Sequence, residues 1–172
     1  MHVLVATDGE LDPEVASSFI SRLAGPDGRA TVMTVVEVPR AFLKEMRHEW
    51  GAAPTPGVIA DDEYVETPAV PQEAPFGWPG DDALIDRYLH DKREDRTGPL
   101  VAALRALDID ADCVVVESEN ISGTIIKHAE TTDADVIVVG SHGQGVVQGL
   151  LGSTSTKLVR RSPKPVLLIR HS

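Results

Sequence analysis

Short apolar runs that favour β-strands recur along the chain. The first run is almost wholly apolar, which is typical of a strand buried on both faces of a sheet. The second is rich in β-branched residues, which favour strands. The predicted strands cover residues 2–6 (HVLVA), 30–38 (ATVMTVVEV), 111–118 (ADCVVVES), 134–140 (ADVIVVG) and 165–170 (PVLLIR).

Helical patterns separate these runs. Apolar positions at helical spacing predict helices over residues 13–23 and 82–107, with a kink expected at Pro99 in the second. A third helix should precede the fourth strand, and a fourth should precede the last strand. The expected N-caps of these two helices are Asn120 and either Ser153 or Thr154.

Alternating strands and helices predict the fold class. Such a pattern forms a parallel sheet with right-handed crossovers. At 172 residues, one domain is expected. The prediction is an α/β fold: a single open, doubly wound, five-stranded parallel sheet with helices on both faces, in one domain that spans residues 1–172.

The pattern fails between about residues 40 and 80. Prolines punctuate this mostly polar, acidic segment, in which a short helix is expected over residues 41–50. We interpret it as an insertion. Segments of this length are often lids, partner surfaces or disordered loops. Trp50, Phe76 and Trp78 favour docking of the insertion, and a mobile acidic loop is the alternative.

A glycine- and hydroxyl-rich loop follows the fourth strand. In a doubly wound sheet, ligands bind where the strand order reverses, and the loops that carry Asp8 and Gly140 should meet there. Glycines let the backbone N–H groups approach an anion, and the N-terminus of the next helix favours a phosphate. The hydroxyls of Ser153 and Thr154 would add hydrogen bonds. The sequence therefore predicts a phosphate site, with a purely structural turn as the alternative.

Two other phosphate-binding patterns do not match this loop. The chain contains no GxxxxGK[ST] segment. In the stretch that begins at Gly143, Gly149 lies one position too far along for GxGxxG. The loop therefore does not indicate a P-loop or a dinucleotide-binding turn.

Charge narrows the set of partners. The formal net charge is −11, which disfavours nucleic acid and anionic membrane surfaces because both would repel the protein. The acidic excess fits adaptation to high salt and equally an ordinary acidic protein. No apolar run approaches the length of a membrane span, and the first residues lack the features of a signal peptide, so we expect a cytoplasmic protein.

Metal-binding patterns are absent from the sequence. The histidines are scattered, and Cys113 is the only cysteine, so no metal site is predicted. Cys113 is interpreted as a small core residue.

Several motifs together resemble one family. They are "VLVATDG" at residues 3–9, "GSHG" at 140–143, "GS" at 152–153 and an R-x-x-P-x-P-V pattern at 160–166. In these motifs the chain resembles the universal stress protein (UspA-domain) family, ATP-binding type. The resemblance implies a Rossmann-like fold of the adenine nucleotide α-hydrolase kind. In ATP-binding members the loop reads G-x2-G-x9-G-[ST]; here eight residues separate Gly143 from Gly152, one fewer than in the family pattern.

The resemblance implies ATP or ADP as the ligand, with Mg²⁺ as a companion of the phosphates. It also implies that Asp8 faces the nucleoside and that the backbone near Val35 pairs with adenine. Asp8 could instead be a helix-entry carboxylate. His142 is either an acid–base group or a structural residue. The predicted binding residues are Ala6, Thr7, Asp8, Val35, Gly140, Ser141, His142, Gly143, Gly145, Gly152, Ser153 and Thr154.

Three functions remain open at this point. The first is a nucleotide-binding stress or regulatory protein with little or no ATPase activity, since no general base or arginine finger is evident. The second is a family member without a nucleotide that acts on a protein partner through its dimer surface and insertion. The third is an enzyme of the α-hydrolase type. The apolar last strand, Val166, Leu167, Leu168 and Ile169, is predicted to form a homodimer, as the resemblance implies.

Overall fold

Five parallel strands form one sheet in the computed structural model, which describes residues 1–38, 41, 80–141 and 152–170. Their order across the sheet is β3-β2-β1-β4-β5, and every neighbouring pair is parallel. The predicted five-stranded parallel sheet is thereby confirmed. The strands are β1 His2–Ala6, β2 Arg29–Val36, β3 Asp110–Glu117, β4 Val136–Gly140 and β5 Val166–Ile169.

Four helices connect these strands within the described residues: α1 Pro13–Ala24, α2 Asp81–Arg105, α3 Ile121–Thr131 and α4 Ser153–Arg161. Asn120 caps α3, as predicted, by accepting a hydrogen bond from the Gly123 N–H. The predicted cap of α4 was wrong. Gly152 occupies the N-cap position, and Ser153 is the first helical residue. At Pro99, where a kink was expected, α2 continues as one helix.

Each face of the sheet carries its own hydrophobic core. Alternate residues of β1 point to opposite faces, so that Val3 and Val5 enter one core and Leu4 and Ala6 the other. The first core includes residues of α1 and α2, and the second includes residues of α3 and α4. Helices therefore cover both faces, which confirms the doubly wound arrangement. The largest helical contributions are Ile20, Leu100 and Leu104 on the first face and Ile125 and Leu158 on the second.

The strand order reverses at β1. At its carboxyl end, Ala6 is in register with Met33 of β2 on one side and with Val139 of β4 on the other. The chain moves from β1 to β2 and β3, and then crosses back to β4 and β5. The segments after β1 and β4 consequently start side by side, as predicted, at the position where open α/β sheets bind ligands.

The chain divides into two compact units. Residues 1–37 and 88–172 make up the unit that contains the sheet, and residues 38–87 make up the other. Apart from Ala41 and Gly80, the predicted insertion lies outside the described residues. This also holds for the helix expected over residues 41–50, except Ala41, and for the three aromatic residues named for the insertion. Among the described helices, none combines the length and apolar character needed to cross a bilayer.

Candidate functional site

A cleft of about 370 Å³ opens at the carboxyl edge of the sheet, beside the point of strand reversal. We call it the carboxyl-edge cleft. The ends of β1, β2 and β4 form its floor, and α2, α3 and the start of α4 supply the rest of its lining. The lining residues are Ala6, Thr7, Asp8, Met33, Val35, Arg96, Ile121, Ile125, Val139, Gly140, Gly152, Ser153, Thr154 and Ser155.

Most of the predicted site residues come together in this cleft. Those that line it are Ala6, Thr7, Asp8, Val35, Gly140, Gly152, Ser153 and Thr154. Ser141 lies beside the cleft with 2% of its surface exposed and is absent from the lining. His142, Gly143 and Gly145 fall outside the described residues.

The turn after β1 is held by local hydrogen bonds. The Thr7 N–H donates to the Met33 carbonyl of β2 (2.9 Å), and the Thr7 hydroxyl accepts from the Gly9 N–H (3.0 Å). Gly9 has a φ of +99°, a conformation that favours glycine. These contacts position Asp8, which is exposed, at the mouth of the cleft.

Asp8 does not cap α1. That role belongs to Asp12, whose carboxylate accepts from the N–H groups of Glu14 (2.9 Å) and Val15 (3.1 Å). The Asp8 carboxylate accepts one long hydrogen bond from the Glu10 N–H (3.3 Å). The interpretation of Asp8 as the helix-entry carboxylate is therefore wrong.

The start of α4 is anchored to the end of β4 and to the last strand. The Ser141 N–H donates to the Ile169 carbonyl (2.8 Å), and the Ser141 carbonyl accepts from the Gly152 N–H (3.0 Å). The Ser155 hydroxyl donates to the Gly140 carbonyl (2.7 Å). These bonds hold both ends of the glycine-rich loop together although residues 142–151 separate them.

Gly152 leaves the first turn of α4 without a side-chain cap. The first N–H groups of a helix have no acceptor inside the helix, and a glycine at the N-cap offers no side-chain oxygen. Ser153 and Thr154 both line the carboxyl-edge cleft at this turn. The arrangement provides hydrogen-bond donors and the positive end of the helix dipole to an anion.

Another part of the cleft lining is apolar. Met33, Val35, Ile121, Ile125 and Val139 form it. Sequence reasoning did not assign Met33, Ile121, Ile125 or Val139 to the site, because strand and helix patterns mark such residues only as core. It also missed Ser155 and Arg96, for which no local motif gave a signal.

A second cleft lies at the amino edge of the sheet, away from the predicted site. It is lined by residues that include His2, Arg29, Asp112 and His128. His2 is buried, and its imidazole contacts the Thr31 hydroxyl (3.0 Å) and the Thr132 carbonyl (3.2 Å). Burial, reinforced by the nearby Arg29 charge, lowers the His2 pKa below its usual value. These contacts give His2 a structural role.

Acidic, histidine and cysteine side chains form no metal-binding cluster of three or more within the described ranges.

The fold and the cleft define an open, doubly wound α/β protein with a cleft where this class binds small ligands. The profile of the "Universal stress protein family" matches residues 1–170. The chain belongs to this family, as its sequence motifs suggested.

Comparison with individual proteins gives shorter matches. The chain is 37% identical over 82 residues to "Stress response protein NhaX" of Bacillus subtilis, a match that covers 45% of this chain and 49% of NhaX. It is 40% identical over 48 residues to "Universal stress protein MJ0577" of Methanocaldococcus jannaschii, covering 27% and 30% of the two chains. The chain thus spans about half, or less, of the curated relatives it matches.

Solved structures share the fold over nearly the whole chain. The structure of MJ0577 aligns with a TM-score of 0.66 at 17% identity and covers 99% of this chain and 96% of that one. The universal stress protein from Archaeoglobus fulgidus, described in complex with dAMP, aligns with a TM-score of 0.54 at 16% identity and covers 98% and 97%. At these identities the likeness shows the fold alone.

Proposed function

We propose that the carboxyl-edge cleft binds an adenine nucleotide, ATP or ADP, and that the protein acts in a stress or regulatory response in the cytoplasm. The observation that carries the proposal is the pairing, in one cleft, of an apolar wall with an uncapped helix N-terminus. An adenine ring is apolar on its faces, whereas its phosphates are anionic. The apolar part of the lining and the start of α4 match these two halves of a nucleotide.

Each part of the lining has a distinct role in this proposal. The apolar surface for the base is provided by Met33, Val35, Ile121 and Ile125. The backbone near Val35 is the proposed hydrogen-bond partner of the polar edge of the base. Asp8 is the proposed acceptor for the ribose hydroxyls. The phosphates belong beside Gly140, Gly152, Ser153 and Thr154, where the first turn of α4 supplies N–H groups and the Ser153 and Thr154 hydroxyls.

The glycine-rich loop completes the proposed phosphate site. By resemblance to the family pattern, the proposed phosphate site also includes Ser141, His142, Gly143 and Gly145. Mg²⁺ is the proposed companion of the bound phosphates. The family relationship adds support, since one structure with this fold is described in complex with dAMP.

We expect little or no hydrolysis of the bound nucleotide. Efficient phosphoryl transfer needs a group that orients or deprotonates the attacking water. Among the described lining residues, Asp8 is the one carboxylate, and none is a histidine. This composition supports a binding role rather than rapid turnover.

Removing the Asp8 carboxylate tests the proposed site. We expect Asp8→Ala to weaken ATP and ADP binding about tenfold to a hundredfold, since a hydrogen bond between a charged and a neutral group contributes about 1.5–3 kcal/mol. Titration calorimetry on folded protein, after acid extraction of any co-purified nucleotide, provides the measurement. Asp27→Ala removes the same charge at an exposed position outside the cleft and should leave the affinity unchanged. No saturable binding by the unmodified protein at millimolar ATP or ADP would refute the proposal.

The second candidate function is a protein-interaction role through the dimer surface and the insertion. Its support is the position of β5 at an edge of the sheet, with all four of its residues only partly buried. The Pro165 carbonyl accepts a hydrogen bond from the Ile137 N–H of β4 (2.9 Å), and the Ile169 carbonyl accepts one from the Ser141 N–H just after β4 (2.8 Å). Because successive residues of a strand direct their backbone groups to opposite sides, the backbone groups of Val166 and Leu168 face the open edge.

A charge placed on this edge tests the proposed homodimer. We expect Leu168→Lys to shift the protein from dimer to monomer mass in sedimentation velocity, because facing lysines would repel each other across a symmetric contact. Val159→Lys introduces the same charge at an exposed apolar position of α4 and should leave the dimer intact. An unchanged dimer mass for a folded Leu168→Lys protein would exclude pairing through β5.

A further inference from the structure

Arg96 enters the carboxyl-edge cleft from the far side of the sheet. It belongs to α2, whose residues Leu100 and Leu104 pack in the core of the face opposite to α3 and α4. The Arg96 side chain is partly buried and lines the cleft together with Asp8 and the start of α4. No motif in the sequence marks this residue.

The stem of Arg96 is held against the turn after β1. The position that a Cβ atom of Gly9 would take lies 3.3 Å from the Arg96 Cγ atom and 3.5 Å from its Cα atom. Gly9 also has a positive φ, so that a larger residue there would be strained as well as crowded. The close approach places the arginine beside Thr7 and Asp8 and limits the region that its guanidinium can reach.

The guanidinium has no ion pair or hydrogen bond to another residue in the described part of the chain. Its neighbours on the same helix differ in this respect. Arg93 donates to the Cys113 sulfur (3.1 Å), and Arg105 donates twice to the Ala111 carbonyl (2.9 and 2.8 Å). A partly buried guanidinium has five N–H donors and favours a planar acceptor such as a carboxylate or a phosphate.

Arg96 can offset the negative charge that an anionic ligand meets in the cleft. In a protein with a net charge of −11, an anionic ligand is repelled at long range. Arg96 is the one cationic side chain among the described lining residues, and Asp8 is the one anionic side chain. A phosphate that enters the cleft therefore needs the arginine to offset both Asp8 and the general negative field.

We propose that Arg96 pairs with a phosphate group of the bound nucleotide and makes the cleft selective for phosphorylated nucleosides over nucleosides. This inference rests on the proposed adenine-nucleotide function and assigns one determinant of its specificity. Arg96 acts from α2, outside the glycine-rich loop, so that the phosphates are held from both faces of the sheet.

Arg96→Gln tests the proposal through the ratio of two affinities. We expect its affinity for ATP and AMP to fall about tenfold or more, as for the loss of a charge-assisted hydrogen bond, while its affinity for adenosine stays within about twofold. Arg96→Lys, which keeps the charge without the planar fork, should recover part of the loss. Titration calorimetry with adenosine, AMP and ATP measures all three affinities. Arg93→Gln is the control, because it removes the same charge from the same helix outside the cleft lining.

The possible failures can be told apart. If the unmodified protein binds neither nucleotide nor adenosine, the proposed function itself fails. If it binds nucleotides but Arg96→Gln weakens adenosine as much as ATP, Arg96 serves the nucleoside or the fold, and the proposal is overturned. An unchanged preference for ATP and AMP over adenosine in folded Arg96→Gln would overturn it equally. Thermal unfolding of each variant establishes that the comparison concerns folded protein.

Discussion

Leu158→Ala is expected to lower the free energy of unfolding by about 3 kcal/mol, within the range of about 2–5 kcal/mol observed for buried leucines. Leu158 has no exposed surface and lies in the core formed by α3, α4 and one face of the sheet. Truncation removes its buried methyl groups and leaves a cavity that the neighbouring strands cannot close. Equilibrium unfolding in urea, monitored by circular dichroism, measures the change.

The same substitution should also affect the carboxyl-edge cleft. Leu158 is the one fully buried apolar side chain of α4, and α4 carries Ser153 and Thr154 at its start. Loosening the helix should therefore weaken any ligand held by its first turn, in addition to destabilising the fold. Binding measured well below the unfolding transition separates the two effects.

Val159→Ala provides the matched control for Leu158→Ala. Val159 is the next residue of α4, but 51% of its surface is exposed. Its truncation should change the free energy of unfolding by no more than about 0.5 kcal/mol, as is usual for exposed positions. Equal losses for the two variants would mean that α4 does not pack through Leu158 as described.

Ser153→Pro is expected to reduce ATP and ADP affinity at least about thirtyfold while leaving the fold intact, since it deletes an N–H donor and a hydroxyl together. Proline is favoured at the first position of a helix, which Ser153 occupies, because the N–H there has no acceptor inside the helix. The preceding residue must be extended, and Gly152 already has φ −58° and ψ 155°. The substitution thus removes a proposed phosphate donor at a position compatible with proline.

Ser153→Ala separates the two contributions. It removes the hydroxyl and keeps the N–H, so we expect a loss of only about threefold to tenfold, as for a single side-chain hydrogen bond. Calorimetric titration of both variants with ATP and ADP measures the difference, and thermal unfolding verifies that each is folded. If Ser153→Pro is folded and binds as well as Ser153→Ala, the first N–H of α4 does not contact the ligand.

Local patterns predicted the framework of this site well. The apolar runs and helical stripes lie close to the observed elements, and the alternation of strands and helices implied a parallel sheet. Topology then placed Asp8 and Gly140 at the same edge, because the carboxyl ends of parallel strands share one side of a sheet. Both residues line the observed cleft.

The N-cap residue of α4 was not predicted correctly. Ser153 is a stronger N-cap residue than glycine, yet Gly152 occupies the cap. At this junction, Gly152 donates to the Ser141 carbonyl and Ser155 donates to the Gly140 carbonyl. With these tertiary bonds, the helix starts one residue earlier than a Ser153 cap would give and two residues earlier than a Thr154 cap would give. The Ser153 hydroxyl is thereby free of a capping role.

The sequence by itself determined the alternation of elements, the parallel sheet and the edge at which Asp8 and the start of α4 would meet. These properties follow from short-range periodicity and from the limited ways in which strands and helices connect. Only the tertiary structure decided that Arg96, Ile121 and Ile125 would line the same cleft. Those residues come from helices on opposite faces of the sheet. Helical periodicity in the sequence specifies which side of a helix is apolar, but it does not specify which distant residues lie next to the end of that helix in the fold.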